Sequence, residues 1–149
     1  MQTQSRLRLM LAVISIWGAM AMTVSAQDGP TTEDLMAPIR AQVVDPEKPF
    51  EIFIKITLIP GQAQAFESAF KSRMEATRAE PGNVLFELSV HPQMPSVYML
   101  HERWANLDAV ENHMELEHMR TFWPLYFPMI ARIPEFEIYA TRDLVIAGD

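Results

Sequence analysis

The chain has 149 residues, with 19 acidic side chains against 12 basic ones and no cysteine. Its formal net charge of −7 at pH 7 argues against nucleic acid or an anionic membrane surface as the main partner. The lack of cysteine excludes disulfides, thiolate metal ligands and a cysteine nucleophile. A chain of this size holds one small domain, which must gain its stability from core burial and often from oligomerisation.

The first 26 residues predict a secretory signal peptide. Arg6 and Arg8 precede the apolar run 9–24, and the small-residue sequence 24–26 follows as a cleavage site. An uncleaved membrane anchor is the alternative, but a spanning helix usually needs about 20 apolar residues. Cleavage after Ala26 predicts a secreted or periplasmic protein that keeps no stable membrane span.

Residues 27–49 read as a flexible, Pro-rich lead-in to the domain. The segment contains four prolines and few core-forming residues. Proline removes a backbone donor and restricts the residue before it, which disfavours regular structure. Within this lead-in the residues 39–44 (IRAQVV) could form a short strand that pairs with a partner. The folded domain is then predicted over residues 50–149.

The first elements of that domain follow from periodicity. Apolar and polar residues alternate from Phe50 to Leu58, which predicts a strand that Pro60 and Gly61 end. Apolar residues at helical spacing in 62–80 predict an amphipathic helix that covers the apolar face of this strand. Pro81 and Gly82 then stop the helix.

Two further strands, a helix and a last strand complete the pattern. The second strand spans 84–91, with Val84, Phe86, Leu88 and Val90 pointing inward. The third spans 96–104, where one face carries Tyr98, Leu100, Glu102 and Trp104. Asn106 is a good N-cap for a helix over 107–117. The segment 119–134 is aromatic and interrupted by prolines, so it is predicted to be helical in pieces, and 135–145 is the last strand.

The predicted order is β-α-β-β-α-β, the ferredoxin-like arrangement of the α+β class. Helices on one face of a four-stranded sheet leave the other face open. That open face carries several apolar side chains among polar neighbours: Phe53, Leu85, Met99 and Tyr139. Pairing of this face with a second copy, in a homodimer, is the natural way to cover it.

The segment 80–122 resembles the antibiotic biosynthesis monooxygenase family, which includes quinol monooxygenases. The resemblance rests on the helix stop Glu80-Pro81-Gly82, on Glu102-Arg103-Trp104 at the end of the third strand, and on the pair His113 and His118. It extends over about residues 52–139. It implies a dimeric α+β barrel. It also implies oxygenation of a small aromatic hydroxyl compound by dioxygen, without metal or flavin.

Such chemistry needs a base that deprotonates the hydroxyl group inside an apolar, water-poor pocket. His113 is the first candidate, because imidazole has a pKa of about 6.5 and the helical wheel puts this residue at the edge of an apolar stripe. His118 either shares that stripe and the catalytic role or ends the helix. Trp104 is a further catalytic candidate, since its indole N–H can orient a ring oxygen, or it simply packs in the core.

The candidate substrate-binding residues surround these three. Phe122, Tyr126 and Phe127 belong to the aromatic segment, which suits the wall of a pocket for a flat ring. Tyr98 and Glu102 share the strand face of Trp104. Core or dimer packing explains each of these residues equally well.

The two histidines do not predict a metal site. Five residues along a continuous helix turn a side chain by about 140°, so His113 and His118 could not hold one ion. Glu115 and His118 match the Glu-x-x-His sequence of di-iron bundles, but the chain lacks the second such motif. Two alternatives to the oxygenase remain: haem bound by His113, His118 or His91, and a non-catalytic module that binds a small hydrophobic ligand.

Overall fold

The computed structural model describes residues 31–141. The predicted signal peptide and the end of the predicted last strand lie outside this range. Within it, none of the helices has the length and apolar character needed to cross a membrane. The elements are α1 Thr32–Gln42, β1 Phe50–Thr57, α2 Ala63–Arg78, β2 Asn83–His91, β3 Met94–Trp104, α3 Leu107–Glu115, α4 Glu117–Tyr126, a 3-10 turn Phe127–Met129 and β4 Glu135–Ala140.

The four strands form one antiparallel sheet in the order β2-β3-β1-β4. The central pair, β1 and β3, is in register along its whole length, with Phe50 opposite Trp104 and Ile56 opposite Tyr98. This order and the helices that follow β1 and β3 are those of the ferredoxin-like arrangement. The predicted α+β fold class is therefore confirmed.

One face of the sheet carries the core. The predicted faces of β1 and β3 are confirmed, because both put their alternate apolar side chains under the helices. On β2, Phe86 is buried, but the prediction is wrong for Val84 and Val90, which are 58% and 50% exposed. Both residues lie at register shifts near the ends of an edge strand, between Asn83 and Leu85 and between Val90 and His91, where the regular alternation is interrupted.

The predicted flexible lead-in contains a helix, α1, and the expected strand over 39–44 is wrong. Thr31 caps α1: its hydroxyl accepts from the backbone N–H of Asp34, whose carboxylate accepts from the N–H of Thr31 at 2.8 Å. The face of the helix that turns to the body buries Leu35, Met36 and Ile39. The prolines hid this amphipathic pattern, although Pro38 is accommodated inside the helix.

The predicted helix 107–117 ends earlier, because the chain breaks at Leu116. This residue is extended, with φ −71° and ψ 152°, and it is both the end of α3 and the cap of α4. His118 therefore lies in the first turn of α4, so its predicted role at the end of the preceding helix is wrong. The prediction of helical pieces for the aromatic segment is confirmed by α4 and the short 3-10 turn.

The core divides into two clusters of buried side chains. The capped cluster lies under α1 and consists of Leu35, Met36, Ile39, Phe50, Ile52, Trp104, Val110, Met114 and Met119. The aromatic cluster lies under α2 and α4 and consists of Ile56, Leu58, Phe66, Phe70, Phe86, Tyr98, Leu100, Phe122 and Tyr126.

Candidate active site

A cavity of about 50 Å³ lies where the two clusters meet, between the sheet and the helices. Its walls are mostly apolar side chains, with a few convergent polar groups. Such a combination is typical of small-molecule sites. The lining residues are Leu35, Ile39, Ile52, Ile54, Ile56, Arg73, Leu100, Glu102, Val110, His113, Met114, Trp123, Tyr126, Pro134 and Phe136.

His113 projects from α3 into this cavity and is only 2% exposed. Its Nδ1 lies 2.8 and 2.9 Å from the two carboxylate oxygens of Glu80, and its Nε2 lies 3.3 Å from a terminal nitrogen of Arg73. A guanidinium can only donate, so Nε2 must accept, and the ring proton must then be on Nδ1 and donate to Glu80. The surroundings thus select one neutral tautomer, whose Nε2 accepts from Arg73.

The pKa values of this pair follow from burial. Burial, and then the positive charge of Arg73, lower the pKa of His113 to about 3. Burial also raises the pKa of Glu80, against the opposing effect of His118 and Arg73. His113 is therefore neutral over the physiological pH range, as a proton acceptor must be.

Glu80 is held in place by the turn that follows α2. Gly82 has φ +85°, and a Cβ at this position would lie 2.6 Å from the Cβ of Ala109 on α3. Only glycine allows the turn to pass this close to the helix that carries His113. Nε2 of His118 lies 2.8 Å from Oε1 of the same Glu80 carboxylate, so His118 is a second imidazole partner of Glu80.

Arg73 places a permanent positive charge in the cavity wall. It projects from α2, is 6% exposed, and its guanidinium lies 4.6 to 5.7 Å from four ring centroids, those of Phe70, Phe86, Phe122 and Trp123. Its nearest carboxylate oxygen is Oε1 of Glu102, at 4.0 Å. Burial lowers the pKa of Arg73, but a guanidinium stays protonated in proteins.

Two N–H donors in the cavity wall have no acceptor within residues 31–141: Nε of Arg73 and Nε1 of Trp123. A buried donor without a partner costs about 1–3 kcal/mol, so such groups call for an explanation. Both belong to residues that line the cavity, so acceptors on a ligand there are their candidate partners. Tyr126 adds a phenol whose pKa is raised by burial, so its hydroxyl stays protonated.

Three of the predicted site residues line the cavity: His113, Glu102 and Tyr126. Trp104 does not; it is fully buried, and its indole N–H donates to Oε2 of Glu102 at 2.8 Å. The four others also lie outside the lining and act elsewhere: His118 contacts Glu80, Phe122 lies against Arg73, Phe127 stacks on Trp123, and Tyr98 donates to Glu67 at 2.7 Å.

Sequence reasoning noted Trp123 as part of the aromatic segment, but it missed Arg73 and the role of Glu80. Arg73 stood within the apolar stripe of α2, where a charged residue is unusual, and that placement was the available signal. Glu80 was noticed only as part of a helix stop. No local pattern joins it to His113, which is 33 residues away.

The argument against a shared metal ion assumed a continuous helix, and the break at Leu116 removes that assumption. Ligand atoms of Glu80, His113 and His118 lie within 4.8 Å of one another. However, a metal on Nδ1 of His113 would require the proton on Nε2, where it would face the N–H of Arg73. Metal-bound histidines instead donate their other N–H to an acceptor. The three residues fit a hydrogen-bonded network better than a metal centre.

The residues also do not fit haem. A cavity of about 50 Å³ is far too small for a porphyrin. Both ring nitrogens of His113 and Nε2 of His118 lie against Glu80 or Arg73. His91 lies at the β2–β3 turn, where its Nδ1 accepts from the N–H of Gln93.

A mostly apolar pocket of this kind lies under the helices of a small α+β domain with a ferredoxin-like sheet. Residues 49–124 match the sequence model of the antibiotic biosynthesis monooxygenase family. The chain belongs to this family. No curated protein sequence matches it closely enough to add to this.

Solved structures agree on the fold. A candidate antibiotic biosynthesis monooxygenase from Nitrosomonas europaea is similar with a TM-score of 0.62 and 19% identity, over 66% of this chain and 95% of that one. A second candidate of the same kind, from Caulobacter crescentus, has a TM-score of 0.62 and 20% identity, over 70% of this chain and 99% of that one. A conserved protein from Methanosarcina mazei has a TM-score of 0.60 and 21% identity, over 64% of this chain and 95% of that one.

Proposed function

We propose that this protein is an exported monooxygenase that oxygenates a small aromatic hydroxyl compound with dioxygen and without a metal or flavin. The observation that carries the proposal is the convergence of a neutral imidazole, His113, and a buried cation, Arg73, on one apolar cavity. A base and a positive charge at the same point are what the formation of a phenolate requires.

The reaction needs only the substrate and dioxygen. A phenol with a free para position displaces the N–H of Arg73 from Nε2 of His113 and loses its hydroxyl proton to that nitrogen. The resulting phenolate, which lies beside the guanidinium, gives electrons to dioxygen. One oxygen atom becomes the second carbonyl of a quinone and the other leaves as water. The ring supplies all four electrons, so no external reductant is needed.

Arg73 would help the weak base. A group with a pKa of about 3 is a poor acceptor for a phenolic proton unless the phenolate is stabilised. The guanidinium supplies that stabilisation at low dielectric, where a charge acts more strongly than in water. As the imidazole becomes cationic, Glu80 at 2.8 Å holds its Nδ1–H and balances the charge.

The remaining parts of the proposal concern assembly and location. The outer face of the sheet stacks Phe53 on His101 at 4.2 Å and places Tyr139 edge-on at 5.4 Å, with Met99 39% exposed nearby. A second copy that covers this apolar face would make the dimeric barrel. The predicted signal peptide supports a periplasmic or secreted location.

The test is oxygen consumption with phenols and hydroquinones under labelled dioxygen. We expect uptake with one labelled atom per ring in the product, and a loss of at least about 100-fold in kcat for His113→Ala. His91→Ala is the matched control, because His91 lies at the β2–β3 turn, away from the cavity. No uptake above background, or equal uptake in His113→Ala, would contradict the proposal.

The second candidate function is a non-catalytic binding module, which the two unpartnered donors in the cavity also favour. Equilibrium binding of a phenol without oxygen uptake would support this function instead. Isotopic labelling separates a third outcome, simple oxidation of a hydroquinone, because its product would carry no labelled oxygen.

A further inference from the structure

The cavity is too small for the ring that the proposed function requires. Its volume is about 50 Å³, whereas a cavity of about 150 Å³ holds one benzene ring. It can hold water or dioxygen, but a phenol can enter only if a wall moves. The question is therefore which wall does so.

Most of the walls are fixed by the fold. The sheet residues Ile52, Ile54 and Leu100 lie on the central strands, whose hydrogen-bond ladders run on both sides. His113 and its helix α3 are tied to Glu80 and to the close approach at Gly82. Movement of any of these would break the site itself.

The wall that α1 forms is held differently. This helix precedes the segment 49–124 that matches the family model, so it lies outside the part of the domain that the match covers. It has only 11 residues and contains a proline, and helices of that length are marginal on their own. Its position therefore depends on how it docks against α3 and β4.

The docking contacts of α1 include the cavity wall. Leu35 and Ile39 line the cavity, whereas Met36 is equally buried but does not reach it. On the outside of the helix, Nε of Arg40 donates to Glu111 of α3 at 2.6 Å. This surface ion pair is a latch that joins α1 to the helix of His113.

We infer that α1 is the moving wall of the cavity, and that Leu35 and Ile39 determine the size of the ring that enters. The inference rests on the proposed function for the kind of ligand, an aromatic hydroxyl compound. In the closed state the two side chains occupy space that a ring would need. In the open state α1 leaves the capped cluster while the sheet, Arg73 and His113 stay in place.

A tether across the latch tests the movement. The chain has no cysteine, so a short bis-maleimide reacts only with the double variant Arg40→Cys, Glu111→Cys. Binding of 1-naphthol is followed by its fluorescence in stopped flow, under nitrogen. We expect the association rate to fall by about tenfold or more on crosslinking, because binding then has to occur without the conformational change. Wild-type protein treated with the reagent is the control.

Single variants test the role of the two side chains. Ile39→Ala should bind 1-naphthol more tightly than the wild type, because it enlarges the cavity. Met36→Ala should raise the association rate and the affinity by the same factor, because it weakens docking and populates the open state without changing the wall. Leu58→Ala is the matched control: it is equally buried, belongs to the aromatic cluster and lies outside the lining, so its association rate should equal that of the wild type.

Equal association rates with and without the tether would overturn the inference, and so would the absence of 1-naphthol binding in every variant, including Ile39→Ala. These outcomes are separate from a failure of the proposed function. Tether-sensitive binding without oxygen uptake would keep the moving wall and remove the oxygenase. Oxygen uptake that the tether leaves unchanged would keep the oxygenase and remove the moving wall.

Discussion

The aromatic cluster and the capped cluster each contain nine buried residues, yet they are closed in different ways. Rings that contact one another close the aromatic cluster: Phe66, Phe70, Phe86, Phe122 and Tyr126. A short helix from outside the family segment closes the capped cluster. The difference separates a part of the core that contacting rings hold together from a part whose closure depends on one short helix.

The largest effect should come from truncating a ring of the aromatic cluster. Phe66 is fully buried and contacts three other rings, so we expect Phe66→Ala to lower the free energy of unfolding by about 3–5 kcal/mol. Met36→Ala, in the capped cluster, should cost no more than about 2 kcal/mol, at the low end for such a change, because α1 can undock locally. Urea denaturation of both variants measures the difference. Equal losses would remove the distinction between the clusters.

A pH effect of intermediate size should arise at the boundary of the clusters. The pKa of His113 is lowered to about 3 in the folded protein, from an ordinary value of about 6.5. The stability that it contributes is therefore present above pH 6.5 and is lost as the pH falls towards 3. We expect a loss of about 2–3 kcal/mol between pH 7 and pH 4.5.

Denaturation curves of the wild type and of His113→Gln over this pH range isolate that contribution. Glu80 acts in the opposite direction, because its raised pKa favours the folded state at low pH. Arg73 stays charged, and Glu102 and His118 are present in both proteins, so the difference between the two curves reports on the imidazole and its carboxylate partner. Parallel curves would contradict a buried neutral histidine.

Two glycines with positive φ offer a matched pair for the next effect. A Cβ at Gly61 (φ +87°) would meet nothing within 4 Å, whereas at Gly82 it would lie 2.6 Å from Ala109. Gly61→Ala should therefore cost only the backbone strain, about 1–2 kcal/mol, and Gly82→Ala about 1–3 kcal/mol more. If α3 is displaced, kcat should fall in Gly82→Ala and not in Gly61→Ala. Similar unfolding midpoints for the two variants would show that the close approach to α3 can relax.

The smallest effect on stability should come from Trp123→Phe, which removes the unpartnered indole N–H and keeps a ring over Arg73. We expect the free energy of unfolding to change by less than about 1 kcal/mol, because no hydrogen bond is lost. Ligand affinity should fall by about tenfold if the N–H binds a ligand oxygen. Titration with 1-naphthol measures this affinity. An unchanged affinity would show that the indole N–H of Trp123 does not bind the ligand.

The sequence predicts the sheet well, because strand alternation is a local signal. Phe50, Ile52 and Ile56 fall on the buried face, as their spacing indicates, and β3 carries Glu102 and Trp104 on the same face. The helix α1 was missed because its prolines outweighed a short amphipathic pattern. The sequence Thr31 to Asp34 did contain a capping signal that could have corrected this.

The candidate site was predicted only in part, because its residues are far apart in the sequence. His113 was found because the family motif and the helical wheel agree. Its partners Glu80 and Arg73 are 33 and 40 residues away, and only tertiary packing brings them to the two sides of one ring. The relation between His113 and His118 depended on one extended residue, Leu116, which no periodicity predicts.

The position of α1 in the chain has a consequence for the order of folding. Its latch joins residues 71 positions apart, and α3 and β4, its docking partners, come late in the chain. Contacts of such long range require the closure of a large loop, so α1 should dock after the sheet and the other helices have formed. Substitutions in α1 should then speed unfolding and leave the refolding rate almost unchanged. A newly folded domain would pass through a state in which its cavity is still open.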